Sequence, residues 1–161
     1  MGPDGLAALR SFIGKTEPHL PGIVSLMYIR FFEARPDAVL LFKGDLREQQ
    51  RQFTSMLWSI VRLTRSSELW PINAVTGQAP IPTIEKLGLS HASAGVTPDH
   101  FDVLKRVLSQ CFREQFPREF TPPVEKALGF VFDVVSRSAF TRKSGPAIGL
   151  GPQNRLGKRD I

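Results

Sequence analysis

The stretch IEKLGLSHASAGV, running from Ile84 to Val96, decides how this chain is read. It is of helix length, Leu87 precedes His91 by one helical turn, and Gly95 supplies a stop. A helix ending there presents an imidazole from its inner face, where a ring nitrogen can reach a metal. Taken alone, a histidine between Ser90 and Ala92 is more often an ordinary core or surface residue than a ligand. The reading therefore depends on what the other helices place opposite His91.

The 161 residues suffice for one domain with a real core and fall short of two ordinary domains plus a linker. Hydrophobic content of 42% and charged content of 22% are those of a soluble globular chain. A net charge of +6 would suggest nucleic acid, but Arg142, Lys143, Arg155, Lys158 and Arg159 against Asp160 put +4 of it beyond Phe140. The body is close to neutral, and no nucleic-acid partner is expected for it. Cys111 is the only cysteine, which excludes an internal disulfide and a cysteine-based metal site. No apolar run reaches membrane-spanning length and the N-terminus lacks the pattern of a secretory leader, so a cytoplasmic location without membrane attachment is expected.

Helical periodicity runs through the rest. Asp4 can cap a first helix bearing Leu6, Leu9, Phe12 and Ile13, ended by Gly14, Thr16 and Pro18. A second starts near Pro21 and carries Val24, Met27, Tyr28, Phe31 and Phe32 until Arg35-Pro36 breaks it. PDAVLLF, Pro36 to Phe42, is a compact helical turn, followed by a helix from Leu46 to about Arg65 with Phe53, Met56, Leu57, Ile60 and Val61 inward and Gln49 at the edge of its apolar face. Residues 66–83, with three prolines and a glycine, read as a long loop. Pro98 opens a helix with Phe101, Leu104, Val107, Leu108, Cys111 and Phe112 inward. Thr121-Pro122-Pro123 starts the last, whose stripe is Val124, Ala127, Leu128, Val131, Val134 and Val135 up to Phe140. No strand pattern occurs. Two regions are expected: a helical domain over 1–140 and a basic, Gly- and Pro-containing flexible tail over 141–161.

This order of elements resembles the single-domain bacterial globins and the haem domain of flavohaemoglobins, from about Leu6 to Phe140. Pro36 with Phe42 six residues on is similar to the family's turn whose phenylalanine stacks on haem. LGLSHASAGVTPDHF, Leu87 to Phe101, is similar to its proximal histidine segment, and Tyr28 and Gln49 stand where the family has its distal tyrosine and glutamine. Each of Phe42, Tyr28 and Gln49 alone reads as a core aromatic, a core tyrosine or a solvated amide. Four positions at matching spacings on matching faces make a much more specific signal.

The resemblance implies an all-α globin fold without a separate D helix, while the long loop before the proximal helix exceeds the family's usual connection. It implies haem b (iron protoporphyrin IX) with His91 as the iron ligand, oriented through its other ring nitrogen by the Leu87 carbonyl and the Ser90 hydroxyl. Phe42, Phe53, Leu57, Val96, Phe101 and Leu104 would hold the apolar plate by burial. Tyr28 and Gln49 would donate hydrogen bonds to a gas that gathers negative charge, which implies slow release of O2. With no histidine at Gln49 or Phe53, five-coordinate ferrous iron is expected. The implied function is reversible binding or transport of O2, with NO and CO as further ligands, and conversion of NO and O2 to nitrate.

Two departures matter. The tyrosine and glutamate that in flavohaemoglobins bond to the proximal histidine region correspond here to Phe101 and Ala139, so that polar relay is missing. No stretch matches a flavin reductase domain, so turnover as a nitric oxide dioxygenase calls for an external reductase. A second class of function is a haem-based gas sensor or interaction module that signals to a partner through the loop or the basic tail. Arg47, Arg51 and Lys86 read as solvated charges, with haem propionates as an alternative partner for one or two of them.

Overall fold

The structure is a computed structural model that describes residues 3–63 and 94–140. The expected histidine helix up to Ser93, the loop over 66–83 and the tail over 141–161 lie outside these residues, and so do the side chains of Ile60, Val61 and Ala139. Among the described residues all regular structure is helical.

Helix α1 spans Pro3–Thr16. Leu9, Phe12 and Ile13 are buried, and the Thr16 hydroxyl donates to the Phe12 carbonyl at 3.0 Å as the helix closes. Asp4 lies inside the first turn rather than at the cap, a correction to its sequence reading, because the helix already begins at Pro3, where a missing N–H costs nothing. A short 3-10 turn, Glu17–His19, leads into α2, Leu20–Ala34. Leu20, Ile23, Val24, Met27, Tyr28 and Phe31 recur three or four residues apart, so one continuous stripe of α2 is buried. Arg35, kept out of the helical region by the proline that follows it, ends it, and Pro36–Leu41 forms a 3-10 turn.

Helix α3, Leu46–Leu63, begins at Asp45, whose carboxylate accepts the Arg47 N–H at 2.9 Å. Helix α4, Pro98–Gln115, and helix α5, Pro122–Phe140, complete the described fold. Helix α1 packs against α5, α2 against α4, and α3 on both α1 and α2. At the centre of one end, Phe12 meets Phe112 edge-on at 5.0 Å and Phe116 at 5.9 Å, and Phe120 closes the group. The opposite end, between α2, α3, α4 and α5, stays open enough to hold a cavity.

Gly95 has φ of +89°, the left-handed region an L side chain avoids, and it turns the chain just ahead of Val96. A Cβ there would also stand 3.4 Å from Leu41 Cδ2. Gly95→Ala is therefore expected to destabilise the fold by about 1 kcal/mol, read as a lower urea midpoint at unchanged slope. An unchanged midpoint would show that this turn relaxes freely.

Candidate functional site

Four helices and the 3-10 turn enclose a cavity of about 300 Å³. Tyr28 and Phe31 of α2 form one wall, and Leu41 and Phe42 at the end of the 3-10 turn a second. Gln49, Gln52, Phe53 and Met56 come from α3. Val96 and Ala94 precede α4, which gives His100, Phe101 and Leu104, while α5 closes the space with Val131, Phe132 and Val135. Aliphatic and aromatic groups dominate, with a few polar side chains among them, the usual make-up of a site for an apolar cofactor or ligand.

Of the residues singled out from the sequence, Tyr28, Phe42, Gln49, Phe53, Val96, Phe101 and Leu104 are brought together around this one space. Leu57 is not on its wall. It is buried in the core at 2% exposure, one residue past Met56 and turned away from the stripe of 49, 53 and 56 that faces the cavity. His91, Leu87 and Ser90 lie outside the described residues, so no geometry attaches to them. Met56, Gln52, Val131, Phe132 and Val135 join the lining without having been assigned to it. On α5 the sequence shows only an apolar stripe, and a stripe looks the same whether it meets a neighbour or an empty space.

Tyr28 is 5% exposed. Its ring meets Phe42 edge-on at 5.6 Å and Phe53 at 6.0 Å, with Phe32 tilted beside it at 5.9 Å. Three aromatic neighbours pack around the ring, and the residue lies on the cavity wall. Burial pushes the hydroxyl up to about 12 from 10.0, and neither a charge nor a hydrogen bond contributes to that rise. The group is thus a protonated donor throughout the physiological range.

Tyr28 is the sole tyrosine, so its ionisation can be followed by tyrosinate absorbance without ambiguity. Because the folded value is raised, the associated stability is complete below pH 10.0 and is lost as pH rises towards about 12. The difference is worth roughly 3 kcal/mol. Tyrosinate is expected to appear mostly above about pH 11 in the apoprotein, or together with alkaline unfolding. Ionisation near pH 10.0 in the folded protein would show that the hydroxyl is solvated.

A second polar feature was not found from sequence. His100 is 6% exposed and bordered by groups far from it in the chain. Its Nδ1 accepts the Thr97 N–H at 3.0 Å, which leaves the ring proton on Nε2, 3.2 Å from Asp37 Oδ2. Arg35 grips the same carboxylate with two bonds, Nε to Oδ1 at 2.9 Å and Nη2 to Oδ2 at 2.7 Å. The Arg35 guanidinium, followed by His100, holds the Asp37 carboxyl well below the usual range. Thr97 and His100 form a capping box with histidine in place of the usual Glu or Gln, which is why a search for that pattern passes over it.

Arg51 pairs with Glu48 on the outer side of α3, and Gln52 donates to Glu48 at 3.1 Å. Arg47 and Arg51 border a separate surface groove beside Trp58 and Pro21, not the cavity. Phe101 meets Phe140 edge-on at 6.0 Å, so this position of α4 presents a buried ring where a polar relay would need a hydroxyl. Among the described residues no group of three or more His, Cys, Asp or Glu side chains gathers as a metal site. Nor is any described helix long and apolar enough to cross a membrane.

The globin family model matches residues 25–139. The anaerobic nitrite reductase HBII of Casuarina glauca is 27% identical over 111 residues, covering 66% of this chain and 69% of that protein. The flavohemoprotein of Vibrio cholerae is 24% identical over 119 residues, and that of Bacillus subtilis 22% over 130. The alignments take in 74% and 78% of this chain but 28% and 31% of those two longer proteins. Among solved structures, the engineered carbene transferase RmaNOD from Rhodothermus marinus superposes with a TM-score of 0.68 at 21% identity, covering 89% of this chain and 94% of that one. That likeness is one of fold.

Proposed function

This chain belongs to the globin family, and on that premise we propose that its cavity houses a haem and binds O2, NO or CO beneath Tyr28 and Gln49. The fit is judged from the walls. A haem is an apolar plate, and the cavity offers it Phe42, Phe53, Val96, Phe101 and Leu104 on several sides. His91 is our candidate for the iron ligand, oriented by Leu87 and Ser90, with haem b as the form of the cofactor. When bound, haem supplies an iron that takes up diatomic gases reversibly.

The chain's own residues then determine selectivity and retention. The observation that carries the reading is Tyr28, a buried residue on the wall of a largely apolar cavity whose hydroxyl is kept protonated by burial. A donor already in place costs no reorganisation when a ligand gathers negative charge, and exclusion of water strengthens the bond it makes. Gln49, half-buried on the same cavity, adds an amide that can donate beside it. The surrounding phenylalanines hold Tyr28 in one orientation.

We further propose nitric oxide dioxygenation, in which O2 held by the protein and NO give nitrate, with electrons from a reductase beyond these 161 residues. The resemblance to two flavohemoproteins supports this. Rapid mixing of the O2-loaded protein with NO tests it. Prompt, stoichiometric nitrate is expected, whereas loss of O2 without nitrate would restrict the function to gas binding.

A further inference from the structure

Thr97, His100, Asp37 and Arg35 form a chain of contacts that spans two walls of the cavity. At one end, Asp37 lies in the first turn of the 3-10 segment Pro36–Leu41, which delivers Leu41 and Phe42 to the lining. At the other, Thr97 and His100 are flanked by Val96 and Phe101, which also line it. His100 both accepts and donates in this chain, and each ring nitrogen has a separate task. Bare Nδ1 accepts the Thr97 N–H and protonated Nε2 faces Asp37.

We propose that His100 is a positioning residue whose neutral form latches the two walls together, and that a second proton, on Nδ1, releases the α4 end of the latch. The chemistry is that of an acceptor turned into a donor. With a proton on Nδ1, the ring faces the Thr97 N–H donor to donor, and the first turn of α4 loses that cap bond. The Thr97 hydroxyl, 3.0 Å from the same nitrogen, can then accept from it, so the imidazolium stays tied to the threonine side chain while the backbone bond is gone.

The charged groups around the ring determine how the latch responds. From the 3-10 side, the Asp37 carboxylate and the Arg35 guanidinium, with Nη2 3.1 Å from Nε2, both face the ring. On α4, Asp99 precedes His100 and acts on Arg35. Helix α2 contributes the Phe31 ring edge-on at 6.4 Å. Opening the α4 end loosens the segment carrying Val96 and Phe101, five or more residues after His91 in the chain. Acid is therefore expected to speed escape of a gas from the cavity.

The kinetic arm of the test rests on the haem-and-gas reading, and the spectroscopic arm does not. In the folded chain with or without haem, 15N NMR should find His100 protonated at Nε2 and bare at Nδ1 at neutral pH. As pH is lowered from about 8 to 5, the Thr97 amide should shift in step with protonation of the His100 ring. In the haem-loaded protein, CO dissociation should accelerate over the same interval by up to about tenfold, the scale set by loss of one cap bond. His100→Asn keeps an acceptor and a donor without a titrating ring, and should abolish the acid acceleration relative to its own rate at neutral pH. Asp37→Asn, as a second variant, should move the His100 titration without removing it. A Thr97 amide indifferent to His100, or acid acceleration that survives in His100→Asn, would overturn the proposal. A protein that takes up no haem yet shows the coupled Thr97 shift would refute the cofactor reading and leave the latch standing.

Discussion

Tyr28→Phe is expected to accelerate O2 dissociation from the haem-loaded protein by roughly ten- to a hundredfold, with little change in the rate of gas entry. A hydrogen bond to a charged acceptor is worth about 1.5–3 kcal/mol, and each 1.4 kcal/mol is a factor of ten. The substitution removes only the hydroxyl. Phe42, Phe53 and Phe32 would hold the new ring as they hold the tyrosine, so the change reports the bond rather than the packing. CO, which gathers less charge, should respond far less than O2. Stopped-flow displacement of each gas measures both rates. Equal effects on the two gases would mean that Tyr28 acts by shape, and no effect on either would remove it from the ligand side of the cavity.

Phe112→Ala carries the largest expected cost to stability, about 3–5 kcal/mol. The ring is fully buried and touches Phe12 edge-on at 5.0 Å and Phe120 at 5.6 Å. Truncation opens a hole where α1, α4 and the turn carrying Phe120 meet and removes both ring contacts. Because Phe112 does not line the cavity, the folded fraction should retain the gas kinetics of the parent while its urea midpoint drops steeply. A loss below about 1 kcal/mol would show that Phe12, Phe116 and Phe120 collapse into the space.

Periodicity made the helices legible. The stripes of α2, α4 and α5 sit at spacings of three and four, and burial follows them closely in Leu20 to Phe31 and in Val124 to Val135. The family resemblance reached further, because spacing around Phe42 picked out Tyr28 and Gln49, which line one space with it. Leu57 shows the limit of reading a face from a count. One residue, or 100° of helix, separates the cavity-lining Met56 from a leucine wholly in the core.

His100 was illegible for a different reason. Its partner Asp37 is 63 residues away, and no local rule pairs residues so distant. Its cap role is hidden by an unusual residue at the third helical position of α4. A histidine there signals nothing until the 3-10 turn is brought beside α4. Tyr28 also needed the fold: its identity suggests a donor, but only the packing of the phenylalanines around its ring shows that the residue is buried beside the cavity.

Haem uptake by the purified chain tests the central claim most directly, followed as the Soret band during titration of apoprotein with haemin under reducing conditions. The account predicts saturation at one haem per chain with a five-coordinate ferrous spectrum, and loss or marked change of that spectrum in His91→Ala. A parent protein with no haem-dependent change, or a His91→Ala variant with the parent spectrum, would contradict it.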